Sequence, residues 1–150
     1  MILTSPAFQH NQPIPHRFTC DGDNVSPPLV ITDVPAGAKS LVLIVDDPDA
    51  VPFAGHVFVH WTLCNINPKT HIIDEGSVPH GSLECATSYG KPSWGGPCPP
   101  AGNHHYHFKL YALNTILNVS SEANKSDCEN AMHGFIVDQT ELMGTYKRTP

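Results

Sequence analysis

Leu41-Val42-Leu43-Ile44-Val45-Asp46-Asp47-Pro48-Asp49 is the stretch on which the fold turns. A strand with one wet face alternates apolar and polar residues, so five apolar residues in succession suit a strand buried on both faces. The run is far short of the roughly 20 apolar residues that a membrane-spanning helix requires. It passes straight into three carboxylates, Asp46, Asp47 and Asp49. Aspartates after a strand are commonly turn formers; they become candidates for chemistry only where other polar groups meet them.

Working outward, Val57-Phe58-Val59-His60-Trp61-Thr62-Leu63-Cys64 reads as a second long strand, and simple alternation puts Phe58, His60, Thr62 and Cys64 on one face. A third strand covers Tyr106 to Leu113; if it already starts at His104, then His104, Tyr106 and Phe108 share a face. Ile2-Leu3-Thr4 and Leu29-Val30-Ile31 are shorter extended pieces, separated by an irregular stretch whose Asp21-Gly22 and Pro27-Pro28 pairs mark turns. Ser126-Asp127-Cys128-Glu129 has the form of a capping box, with Ala131, Met132, Phe135, Ile136 and Leu142 following at roughly helical spacing. Gly144 then stops the helix, and Thr145-Tyr146-Lys147 returns to the sheet. These elements predict one domain over residues 1–150, an antiparallel β-sandwich with one late α-helix and short peripheral helical turns.

A chain of 150 residues buries about 68–70% of its unfolded surface and needs no metal or disulfide framework to hold a core. The net charge of −6, with eight Lys and Arg and no basic run, argues against a nucleic-acid partner. The first residues, Met1-Ile2-Leu3-Thr4-Ser5-Pro6, lack the basic start and sustained apolar stretch of a signal peptide. Five cysteines, an odd number without a Cys-x-x-Cys pair, read as free thiols in a reducing, cytoplasmic setting; a single disulfide or an intermolecular one stays open.

Several motifs occur in an order that resembles the phosphatidylethanolamine-binding family, in its short bacterial and archaeal Raf kinase inhibitor-like branch. They are Phe18-Thr19-Cys20-Asp21-Gly22 with Ser26-Pro27-Pro28-Leu29, Asp46-Asp47-Pro48-Asp49-Ala50, and His60-Trp61. Tyr89-Gly90, Gly95-Gly96-Pro97-Cys98-Pro99-Pro100-Ala101-Gly102 with His104-His105-Tyr106, and the ending Leu142-Met143-Gly144-Thr145-Tyr146-Lys147-Arg148 complete the set. The resemblance implies a sandwich with a small pocket for phosphate, sulfate, acetate or a phosphoethanolamine head group. It places Asp47, His60, Gly96, Pro100, His104 and Tyr106 in that pocket, with Asp49 in close support. It also implies a regulatory role towards a protein kinase or protease, and a homodimer. Neither enzymatic activity nor a cofactor is expected.

The chemistry can be argued without the family. An imidazole and a phenol hydroxyl can both donate to an anionic oxygen. Asp47 belongs beside an anion only if it accepts from an imidazole or meets the ammonium end of a zwitterion, and its charge favours a protonated imidazole. His104 is expected at the pocket rim, where its replacement by Ala should leave folding largely intact. His105 stands where the family often has Arg, and strand parity turns it away from the pocket. The competing reading is a metal-assisted hydrolase, with His105 and His107 joined by Cys98, Cys85 or His56 around zinc. No His-Glu-x-x-His or Gly-x-Ser-x-Gly motif supports an enzyme. A Cys98–His104 dyad is the weakest alternative.

Overall fold

The structure, a computed structural model, describes residues 1–149. In chain order its strands and α-helices are β1 (Ile2–Thr4), β2 (Gln12–Pro13), β3 (Leu29–Thr32), β4 (Ser40–Asp47), α1 (Val51–Ala54), β5 (Phe58–Ile66), β6 (Ile72–Ile73), β7 (Leu83–Glu84), β8 (His104–Leu113), α2 (Lys125–Met132) and β9 (Ile136–Tyr146). Two sheets form, a three-stranded one in the order β1-β3-β6 and a six-stranded one in the order β2-β9-β8-β4-β5-β7. Pairing is antiparallel except where the two residues of β2 run parallel to β9. The sandwich expected from the strand pattern is present.

Central β4 explains the layering. Leu41, Leu43 and Val45 point between the sheets, where Leu3, Leu29, Ile31 and Ile73 of the small sheet meet Trp61, Leu63, Phe108 and Leu110 of the large one. Val42 and Ile44 point the other way, into a second core built with Leu113, Leu117, Cys128 and Met132. All eight residues of β4 are buried. Burying a Leu, Val or Ile side chain stabilises by about 1.5–3 kcal/mol, so a strand with two apolar faces is the strongest local determinant of this arrangement. No helix among the described residues is long and apolar enough to cross a membrane.

In β5 the expected alternation fails, and the failure is instructive. Val45 pairs with Trp61 but Asp46 pairs with Val59, so His60 is an extra residue, a β-bulge. The bulge resets the parity. Phe58 and His60 stay on the inter-sheet side, Trp61 and Leu63 join them there, and Cys64 falls in the opposite core.

Two other expectations need correction. The helix is capped two residues earlier than Ser126, because Asn124 accepts from the Asp127 backbone N–H while Asp127 accepts from that of Asn124. It ends at Met132, and Gly134, at φ +86°, turns the chain into β9. Ile136 and Leu142 therefore lie on a strand with Gly144 inside it; their helix-like spacing was accidental, and ten-position pairing with β8 overrides it. Gly144 allows close approach, since a Cβ there would lie 2.5 Å from Ile14 Cγ1.

Nor are all five cysteines free: Cys20 and Cys98 form a disulfide. An odd count does not forbid one pair, and the reading of free thiols in a reducing compartment loses its basis. The bridge ties the irregular segment after Phe18 to the Gly95–Gly102 turns across a sequence separation of 78 residues. By loop-closure entropy a constraint of that length is worth about 4.5 kcal/mol, with 2–5 typical on removal. Replacing Cys98 with Ala, or reducing the bond, should accordingly lower unfolding free energy by about 2–5 kcal/mol, read from denaturant midpoints with and without reductant.

Candidate functional site

Each of the three carboxylates at the end of β4, Asp46 and Asp47 within it and Asp49 just beyond, has a separate partner. Asp46 faces the second core side, where its Oδ2 accepts from Lys109 Nζ at 3.0 Å and Lys125 Nζ at 2.7 Å, fastening α2 to the sheet. Asp47 faces the opposite way. Its Oδ1 accepts from the Asp49 backbone N–H at 2.9 Å, capping a 3₁₀ turn over Pro48–Ala50, and its Oδ2 lies 2.6 Å from His104 Nδ1. Asp49 turns outward to accept from the backbone N–H of His105 at 2.8 Å, with His105 Nδ1 at 2.6 Å. The His105 hydrogen bonds hold its carboxyl below the usual carboxylate range, although partial desolvation is the largest single influence and opposes them. Parity along β8 is as expected: His104, Tyr106 and Phe108 are buried, whereas His105 and His107 are partly exposed.

His104 opens β8 next to the end of β4. Besides Asp47, it has a second acceptor, the Ala101 carbonyl, 3.0 Å from Nε2. The ring is thus held at both nitrogens, by Asp47 on one side and the Ala101 carbonyl on the other. The expectation of a rim position is wrong: His104 is 3% exposed, because the 3₁₀ turn, α1 and the Pro99–Ala101 loop close over it. Its donors are engaged within the protein.

His60 sits on the β5 bulge. Its Nδ1 donates to the Gly95 carbonyl at 2.6 Å, and the Gly95 backbone N–H donates back to the His60 carbonyl at 3.0 Å. Among the described residues, no hydrogen bond engages Nε2. Burial pushes the His60 imidazole below 6.5, against smaller opposing contributions from Gly95 and Asp47. Beside it, edge-on at 5.1 Å between ring centroids, lies Tyr106. The Tyr106 hydroxyl is buried with no hydrogen-bond partner among the described residues, and burial together with the Asp47 charge raises its pKa, so it remains a donor.

These groups line a cavity of about 400 Å³, with Asp47, His60, Pro100, His104 and Tyr106 in its wall. Gly96 and Asp49, the two other residues expected here, are not in that wall. Gly96 braces it from behind: its N–H donates to Asn24 Oδ1 at 2.9 Å, its carbonyl accepts from Tyr89 Oη at 2.8 Å, and a Cβ would lie 2.4 Å from the Phe18 carbonyl. The remaining wall comes from Ala50, Phe53, Ala54, Phe58, Tyr89, Cys98 and Pro99, which the sequence reading did not place in the site. Tyr89-Gly90 was a usable signal. Phe53 and Phe58 had none beyond being aromatic near the acid turn. No Lys or Arg lines the cavity.

The alternative zinc cluster is not assembled. Cys98 is in the disulfide, His107 Nδ1 pairs with Glu141 at 3.0 Å, His105 with Asp49, and His56 Nδ1 with the Val57 carbonyl at 2.8 Å. The disulfide equally removes a Cys98 nucleophile. Cys85 instead belongs to a buried trio with Cys64 and Cys128, the one group of three or more His, Cys, Asp or Glu ligands drawn together among the described residues.

Comparison with known proteins agrees with this architecture. A UPF0098 protein of Methanothermobacter thermautotrophicus is 43% identical over 153 residues, covering 99% of both chains. LppC of Mycobacterium tuberculosis is 40% identical across 98% of this chain and 72% of its own length. Among solved structures, a phosphatidylethanolamine-binding protein homologue from Chlamydia trachomatis superposes with a TM-score of 0.93 at 38% identity, covering 98% of this chain and 97% of that one. Escherichia coli YbcL, described as a member of the mammalian PEBP family, gives 0.90 at 28% identity over 98% of each chain. Residues 4–147 match the family described as phosphatidylethanolamine-binding protein, and the chain belongs to that family.

Proposed function

We propose that the cavity binds one small oxyanion, a phosphate- or phosphoethanolamine-type group, and that the protein works by ligand binding. The observation that carries this reading is the Tyr106 hydroxyl. A buried donor without a partner costs free energy, about 1–3 kcal/mol, and calls for an explanation. An anionic oxygen lodged between Tyr106 Oη and His60 Nε2 supplies one. The Asp47 carboxyl is already engaged by His104 Nδ1 and the Asp49 N–H, so both its oxygens have partners within the protein. The aromatic faces of Phe53, Phe58 and Tyr89 at the wall suit the alkyl-ammonium part of a head group, through contact with ring faces. A phosphorylated side chain on a kinase or protease partner would meet the same two donors.

Without Lys or Arg in the wall, affinity rests on geometry and on one proton. Neutral His60 uses its only N–H on Gly95 and turns a lone pair toward the ligand; protonated His60 donates from Nε2 as well. Because burial depresses the His60 pKa, the free protein holds this ring neutral at pH 7. Oxyanion binding therefore takes up a proton, and affinity should fall by up to about tenfold per pH unit as pH rises above the His60 value. Sulfate, which does not titrate in this range, isolates the protein's share. Titrations near pH 5.5 and near pH 7.5, followed through the His60 ring resonances, should give the tighter binding at the lower pH. Equal affinities would remove His60 from the site.

Two substitutions separate the donor from the scaffold. Tyr106→Phe should weaken sulfate or phosphoethanolamine binding about tenfold, the worth of one hydrogen bond to a charged group, while folding stability holds or rises slightly. His104→Ala should instead lower unfolding free energy by about 3 kcal/mol or more, because it strands the buried Asp47 carboxylate. Unchanged binding in Tyr106→Phe would defeat the proposal.

A further inference from the structure

On the opposite face of the large sheet, three cysteines from separate elements bring their sulfurs together: Cys64 of β5, Cys85 just after β7, and Cys128 in α2. All three are fully buried. Cys64 Sγ lies 3.3 Å from Cys128 Sγ and 3.7 Å from Cys85 Sγ, and the three sulfurs lie within 4.8 Å of one another. A single buried cysteine is an ordinary small apolar residue. Convergence of three sulfurs from positions 64, 85 and 128 at one point is a ligand arrangement.

We propose that Cys64, Cys85 and Cys128 form a soft-metal site that takes Cu(I). Metal–sulfur bonds of about 2.3 Å place neighbouring sulfurs roughly 3.8–4.0 Å apart, so the 3.7 Å pair already fits and the 3.3 Å pair opens by roughly 0.5–0.7 Å on binding. Thiolate sulfur selects Cu(I), zinc or iron–sulfur clusters over hard cations. Zinc in a closed site takes four ligands, and no fourth His, Cys, Asp or Glu joins this group among the described residues. Val42, Ile44, Leu113 and Met132 pack around the trio, and the Ser120 carbonyl lies 3.6 Å from Cys85 Sγ. Cu(I) is satisfied by three soft ligands, and each thiol that ligates as thiolate releases its proton to solvent. The site is independent of the oxyanion cavity, which lies across the sheet.

The test uses the whole protein, anaerobically, with Cys20–Cys98 left closed by omitting reductant. Since the sulfurs are buried, Cu(I) alone is supplied both to folded protein and during refolding from denaturant, in competition with a chromogenic Cu(I) chelator. One equivalent per chain is expected, with an ultraviolet sulfur-to-copper charge-transfer band. Cys64→Ala and Cys128→Ala should each weaken binding on the order of 100-fold or more while keeping native circular dichroism. Should an alanine variant fail to fold, Cys85→Ser, which keeps the volume and removes the soft ligand, decides the matter. Binding no tighter than in these variants overturns the proposal. So does preferential retention of Zn(II) over Cu(I), or a Cys64–Cys128 disulfide found by mass spectrometry in freshly purified protein.

Discussion

The contact between Asp47 Oδ2 and His104 Nδ1, 2.6 Å long and joining residues 57 apart in the chain, organises the cavity side of the molecule. It bonds the end of β4 to the start of β8 at the point where their pairing has run out, since Asp46 and His107 are the last partners of that ladder. Both side chains are buried, so neither charge is tolerable without the other. The pair fixes the plane of the imidazole and requires its second nitrogen to find an acceptor, which Ala101 provides. That in turn sets the conformation of the loop carrying Pro99 and Pro100. A carboxylate at the cavity wall is thus converted into a structural cross-link.

The bulge at His60 and the disulfide at Cys98 complete the frame by different means. Without the extra residue, β5 could not present His60 and Trp61 on the same side, one to the cavity and one to the inter-sheet core. Without a tether, the Gly95–Gly102 turns would have few regular hydrogen bonds to hold them against the sheet. Cys20–Cys98 and the mutual His60–Gly95 bonds supply that tether from both sides. Tyr89 adds a third attachment through Gly96, and Gly95 must lack a side chain because a Cβ would strike the Tyr89 ring at 2.1 Å.

What was legible in the sequence follows from what is local. The twofold burial of Leu41–Val45 and the shared face of His104, Tyr106 and Phe108 depend only on strand periodicity, and both are found. The family motifs brought Asp47, His60, Pro100, His104 and Tyr106 to one cavity wall on paper, and the structure brings them there. Most of what failed depended on partners distant in sequence; the start of α2 is the local exception. Parity across β5 breaks because β4 pairs out of step beside His60, and nothing within residues 57–64 signals it. The start of α2 was misplaced because Ser126 and Asn124 both offer a capping pattern; Asn124 holds the N-cap and Ser126 lies inside the helix. The cysteine pairing required knowing that positions 20 and 98 meet, a tertiary fact. The burial of His104 is of the same kind, for a histidine at the start of a strand reads as a rim residue until the turn after β4 closes over it.

The two irregularities in β5 give the large sheet two chemically opposite interiors. At the first, His60 leaves the ladder and presents a nitrogen beside an unsatisfied hydroxyl, a polar and proton-linked environment suited to hard oxygen ligands. At the second, Asn65 adopts a left-handed conformation, φ 56°, and binds both the N–H and the carbonyl of Leu117 at 2.9 Å, pinning the loop before α2 over the other face. Cys64 is thereby sealed beneath that loop with Cys85 and Cys128, among apolar side chains where three sulfurs converge. Between these points β5 is held along one edge by β4 and along the other, at Leu63 and Cys64, by β7, so the strand itself is the wall that divides the two interiors. The hardness of each interior, rather than its size, separates what each can hold.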